Sequence, residues 1–205
     1  MYRLFATIVV VGTLLVAMPA RAAPPFAALE LRLGDLPAGF TASSDYDMTL
    51  AQLAAGDHMS RAAEARTGVL GGHERDFGSK ATSGLFAIFS TIIVYASGGH
   101  AGAAFATLLA RKTPASLRRV SARGLGAAAV AYRGAINIPA NAATHKPAPA
   151  ATFYAFFFRR GIYLVGVTLF GVAHTYTLTQ ALVYPKIVDA RIKAAMEHVP
   201  GAPPR

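Results

Sequence analysis

Across residues 84–95 nearly every position is apolar, with Leu85, Phe89, Ile93 and Tyr95 alternating against Phe86, Ile88, Ile92 and Val94. Two apolar faces predict a strand inside a sheet that is covered on both sides. Residues 152–158 and 162–170 repeat the pattern around Arg159-Arg160-Gly161, which predicts a hairpin with charge at its tip. Here Phe153, Phe157, Leu164 and Phe170 oppose Tyr154, Phe156, Phe158, Tyr163 and Val165. Further strands are predicted at 29–33, where apolar and charged residues alternate, at the polar stretch 73–77, and at 117–120 and 127–132. Helical spacing appears at 49–66, with Thr49 as cap and Leu50, Leu53 and Ala54 as the stripe, and at 101–112. The longest helix is predicted over 175–198, where Leu178, Leu182, Ile187 or Val188, Ile192 and Met196 pack and Pro185 kinks or divides it. Together these elements predict an α+β fold: a mostly antiparallel sheet packed with about three helices in a single layered domain.

The domain is expected to span residues 23–199, ahead of a flexible tail at 200–205. Residues 1–22 carry the layout of a secretory signal: Arg3, an apolar run from Leu4 to Met18, then Ala20-Arg21-Ala22 as a small-x-small cleavage pattern. Cleavage before Ala23 predicts a secreted or periplasmic protein; the alternative is a signal kept as an anchor. Residues 138–151, with Pro139, Pro147 and Pro149, are predicted to form a long surface loop.

The sequence has no cysteine, which excludes disulfides, thiol catalysis, thiolate metal sites and a lipidated Cys anchor. Stability must then come from apolar burial, and 54% hydrophobic residues make that feasible. The formal net charge of +10 falls to +8 once Arg3 and Arg21 leave with the signal. In an envelope setting a basic surface suits anionic head groups, teichoic or other acidic polymers, or nucleic acid.

Sites for chemistry are sparse. His58, His73, His100, His145, His174 and His198 show no metal-ligand spacing. His73-Glu74-Arg75-Asp76 is the densest polar cluster and is predicted to be a solvated edge strand, with His73 and Arg75 on one face and Glu74 and Asp76 on the other. Asp45, Asp47 and Asp57 lack the alternating oxygens of a calcium loop. Gly78-Ser79-Lys80 is no nucleophile elbow, Ser116-Leu117-Arg118-Arg119 has Arg where a catalytic Lys would stand, and Gly124-Leu125-Gly126 lacks the third glycine of a dinucleotide loop.

Two features point to binding instead. Tyr154, Phe156, Phe158 and Tyr163, with Phe153 and Phe157 nearby, could line a groove for an apolar or aromatic ligand, or stack bases or sugars, if one sheet face were open; ordinary sheet core is the favoured reading. Arg111-Lys112, Arg118-Arg119, Arg123, Arg159 and Arg160 could converge as an anion-binding rim, although a dispersed, solvated basic surface is the favoured reading.

The chain resembles bacterial extracytoplasmic domains: the extracellular sensor domains of actinobacterial serine/threonine kinases and PsbP-like secreted lipoproteins. The resemblance is carried by Asp35-Leu36-Pro37-Ala38-Gly39-Phe40, Ile93-Val94-Tyr95 followed by Ala101 and Ala104-Phe105, Phe158-Arg159-Arg160-Gly161, and Ala181, Ile187 and Arg191-Ile192. It implies a twisted antiparallel sheet packed with helices and a cleft that binds without catalysis. This chain lacks the disulfides of the sensor domains and the lipidated Cys of the lipoproteins, so no functional residue transfers. The expectation is an exported, non-enzymatic binding domain without a cofactor, for an apolar or anionic envelope component such as a lipid or anionic polymer, with Tyr154, Phe156, Phe158, Arg159, Arg160 and Tyr163 as candidate ligand-binding residues. No specific nucleic acid is expected. The alternatives are a homodimer closed through the sheet and a secreted hydrolase.

Overall fold

The computed structural model describes residues 26–56, 59–80, 84–137 and 150–197. The predicted signal segment and tail lie outside the described residues, as does nearly all of the predicted loop.

Among the described residues seven strands form one sheet in the order β1-β2-β3-β7-β6-β5-β4, with every neighbouring pair antiparallel. They are β1 (Phe40–Met48), β2 (Val69–Ser79), β3 (Leu85–Tyr95), β4 (Arg118–Val120), β5 (Ala128–Asn137), β6 (Ala150–Arg160) and β7 (Tyr163–Val172). The helices are α1 (Leu50–Gly56), α2 (Arg61–Ala65), α3 (Gly98–Ala110), α4 (Leu178–Ala181) and α5 (Val183–Glu197). The chain builds one half of the sheet outward-in as β1-β2-β3, and α3 then carries it over to the far edge. From β4 it returns inward, so that β7 closes against β3.

The α+β expectation holds, and both sheet faces carry core. On one face Ile88, Ile92, Phe156, Phe158, Val165 and Leu169 pack beneath Leu29, Leu31, Leu125 and residues of α4 and α5 such as Tyr184, Val188 and Ile192. On the other, Ile93, Tyr95, Val130 and Leu164 pack against Leu53 of α1 and Ala101, Ala104 and Phe105 of α3. That second cover is partial: Phe89 remains 43% exposed, so β3 is not buried on both sides along its whole length. A register shift between Leu85 and Ala87 also moves Leu85 out of the Phe89 row and into the first core.

Four local expectations are corrected. Residues 29–33 form no strand but lie between 3-10 turns at Phe26–Ala28 and Leu33–Asp35, because Leu29, Glu30 and Leu31 are all buried there. The helix predicted over 49–66 is two short helices: Thr49 caps the first through Gln52, and Ser60 caps the second by accepting from the Ala63 N–H. Residues 73–77 are no solvated edge, since β1 pairs outside β2 and leaves His73 only 3% exposed. The hairpin turn is Gly161-Ile162, with Gly161 at φ +57°; Arg159 and Arg160 are strand residues paired with Leu164 and Tyr163 rather than a charged tip. The predicted division falls at Leu182, three residues ahead of Pro185: Pro185 sits in the first turn of α5, where its missing N–H leaves the Ala181 carbonyl without the donor that would carry α4 into α5.

Candidate functional site

The far edge of the sheet is short, thin and basic. β4 supplies Arg118 and Arg119, both exposed, and register sets Arg118 directly opposite Arg133 and Arg119 opposite Tyr132. Like charges across an antiparallel pair repel. Arg133 is partly accommodated by Tyr154, whose ring centroid lies 5.9 Å from its guanidinium carbon. Upstream, Arg111 and Lys112 extend exposed from the end of α3.

Downstream of β4, a turn presents Arg123. Leu125 anchors that turn by inserting into the first core, and the Ala127 N–H donates to the Arg159 carbonyl at 2.8 Å. Gly124 and Gly126 take φ of +84° and +53°, which other residues adopt at a cost. Arg119, Val120, Arg123 and Leu125 help line a shallow depression of about 300 Å³ beside the edge. Among the described residues, none of Arg111, Lys112, Arg118, Arg119, Arg123, Arg133 and Arg159 pairs with a carboxylate.

The sequence signal for this end is a gap in the acids, which motif reasoning passes over. From Phe77 to Val188 there are eleven Lys and Arg and no Asp or Glu. All ten acidic residues fall in 30–76 and 189–197. Strand order turns this run into geometry, because it puts β1 and β2 at one edge and β4 and β5 at the other. The acids of 189–197 are engaged elsewhere: Asp189 holds Arg160 through a two-pronged ion pair, with one contact at 2.7 Å, and Glu197 faces Lys193 at 3.8 Å.

The candidate ligand residues are not brought together as an open site. Tyr154, Phe156, Phe158 and Tyr163 are all buried in the first core beneath α4 and α5, so they line no open groove. Arg160 is taken by Asp189, whose hydrogen bonds hold its guanidinium more basic than usual. Arg159 sits on the opposite face, half-buried. Of the cations that the sequence offered either as a rim or as a dispersed surface, the upstream members thus gather at this edge, joined by Arg133.

The acidic end is a closed network. His73 lies between two β1 carboxylates, with Nε2 2.8 Å from Asp45 and Nδ1 2.8 Å from Asp47. Arg75 donates to Asp45 at 2.9 Å and to the Leu31 carbonyl at 2.8 Å. Hydrogen bonds from Arg75 and His73 keep the Asp45 carboxyl below its usual range. Glu30 is fully buried beside them with neither carboxyl oxygen hydrogen-bonded, and burial pushes its pKa up to about 10 against the pull of Arg75. Asp76 lies on the other face of β2 with Glu74, and burial raises it to about 6. His73, Asp76 and Ser79 thus do not converge as a hydrolase would require, since His73 and Asp76 stand on opposite faces. Among the described residues no group of three or more His, Asp or Glu is placed to hold a metal, and no helix is long and apolar enough to cross a membrane.

No protein-family model matches the chain, and no curated protein matches it. Compared as a structure, it is similar to the extracellular domain of PknH from Mycobacterium tuberculosis, with a TM-score of 0.53 and 12% sequence identity, covering 82% of this chain and 95% of that one. At this identity the likeness establishes the fold and transfers no residue role. It agrees, at the level of fold, with the resemblance to bacterial extracytoplasmic domains.

Proposed function

We propose that this protein is an exported binding domain, acting without catalysis, that holds an anionic component of the cell envelope at its β4–β5 edge. One observation carries the reading: an unpaired set of cations, drawn from a stretch without acids, is gathered at one end of the sheet. Export is supported by the signal layout of residues 1–22 and by the fold shared with a protein described as an extracellular domain. An anionic partner is favoured over an apolar one because the candidate aromatic residues are occupied as core.

The test is cosedimentation of the processed chain, purified from its own host, with that host's envelope fraction. Cosedimentation that is strong at about 50 mM salt and weak at about 200 mM is the expected result. Absence of binding at low salt would reject an anionic partner. A homodimer through the sheet is the second reading, favoured by the half-open face where exposed Phe89 packs edge-on against Phe170 at 5.4 Å. Sedimentation equilibrium decides it.

A further inference from the structure

The basic edge has a shape as well as a charge. Arg118 and Arg133 project to one face of the sheet, and Arg119 projects to the other. Arg111 and Lys112 precede the strand and Arg123 follows it. The cations therefore flank a rail one strand wide and three residues long rather than paving a plane.

A flat bilayer meets one side of such a rail, whereas a flexible chain can follow it and reach both. Surface-lying membrane sites also pair their cations with apolar side chains that enter the lipid. Neither β4 nor the turn bearing Arg123 has a large exposed apolar residue; of those that are exposed, Leu109 on α3 comes nearest in sequence. Arginine predominates at the edge, and its planar fork binds oxyanions in bidentate fashion. The direct opposition of Arg118 and Arg133 is unfavourable in the free protein and is relieved when an anion is shared between them.

We infer that the β4–β5 edge takes a linear polyanion with repeated phosphate groups, seated along β4 with its charges shared among Arg118, Arg119, Arg123 and Arg133. This rests on the proposed function and narrows it from an anionic component to an extended chain.

The experiment titrates the processed chain with long-chain inorganic polyphosphate, orthophosphate, and vesicles of zwitterionic or mixed anionic phospholipid. Polyphosphate is expected to bind with a log–log salt slope of about −3, as about four contacts on a single chain would give, while orthophosphate and vesicles bind far more weakly. R118Q/R119Q/R123Q, three exposed substitutions checked to unfold thermally at no lower temperature than the unsubstituted protein, should weaken polyphosphate at least about tenfold and flatten the slope by about 2. R61Q/R66Q, which removes two exposed cations near the other edge, should leave both unchanged. Equal weakening by the two variants overturns the location. Binding to anionic vesicles without polyphosphate overturns the linear chain but leaves the proposed function standing, and failure of every probe at low salt rejects both.

Discussion

Glu30 is legible in sequence only as the polar half of an alternating pair, yet it is the most completely buried acid in the described chain. Its neighbour Arg75 spends its nearest donors on Asp45 and the Leu31 carbonyl, so burial keeps the Glu30 carboxyl protonated up to about pH 10. Burial likewise raises Glu64 to about 7 and Asp76 to about 6. For each, the folded state retains a proton that the unfolded state releases near 4.5 for Glu or 3.8 for Asp. Their stabilisation is therefore complete below those ordinary values and lost as pH rises through the folded ones. Asp45 and Asp35 work the other way. For Asp35, burial alone would raise the pKa, but Arg191 at 2.7 Å and the Arg32 N–H lower it, so its contribution is lost on acidification. Urea unfolding should accordingly give a midpoint higher at mildly acidic pH than at pH 8. Above about pH 8 only Glu30 of the three raised carboxyls still titrates in the folded state, with a loss of at most about 1.4 kcal/mol per pH unit. Glu30→Gln should flatten that alkaline limb while leaving the acid limb, set by Asp35 and Asp45, in place. An unchanged alkaline slope in the variant would show that Glu30 ionises freely.

At the scale of elements, the turn between β4 and β5 both holds the edge and presents Arg123. A Cβ at Gly126 would stand 2.5 Å from the Arg159 carbonyl oxygen with φ at +53°, whereas one at Gly124 would meet open space at φ +84°. Gly124→Ala should cost about 1 kcal/mol from backbone strain alone, and Gly126→Ala about 2–3 kcal/mol because the strand contact must also shift. Equal losses in urea unfolding would mean that the turn is not packed against β6. What sequence could and could not show follows from the same physics. β3, β6 and β7 are legible because long apolar runs bounded by glycine have few other structures open to them. β1 is missed because Thr41 to Asp47 is polar at nearly every position: an edge strand whose outer flank meets water carries no apolar alternation. Residues 29–33 do alternate, but their backbone is fixed by contacts remote in sequence, such as Arg191 donating to the Glu30 carbonyl and pairing with Asp35. The Asp35 and Arg191 segments quoted for the family resemblance thus meet in space, a contact that no local pattern contains.

For the molecule as a whole, net charge is legible in the composition but its arrangement is not. The basic edge arises because α3 throws the chain across the sheet before it winds back, so the part of the acid-free run that holds β4 and β5 becomes one end of the sheet. The candidate aromatic residues failed to form a site for a related reason: which sheet face is open depends on where α4 and α5 lie, and they lie over Tyr154, Phe156 and Phe158. Crowded cations have a consequence that needs no ligand. Unpaired like charges repel within the folded state, the repulsion is relieved when the chain expands, and salt screens it over a Debye length of about 10 Å at 0.1 M. The ligand-free protein should therefore gain stability between low salt and about 0.2 M NaCl, by about 2–4 °C in Tm if the screened repulsion is about 1 kcal/mol. Arg118→Gln, which removes the directly opposed partner of Arg133, should raise Tm at low salt and shrink the salt response. Arg191→Gln should do the reverse, lowering Tm at every salt concentration, because that side chain is bound to Asp35 and the Glu30 carbonyl. Opposite signs from two arginine-to-glutamine changes would separate cations that hold the fold from cations left over for a partner. If both variants were destabilised alike, Arg118 would be a structural residue and the edge would lose its claim to be a binding surface.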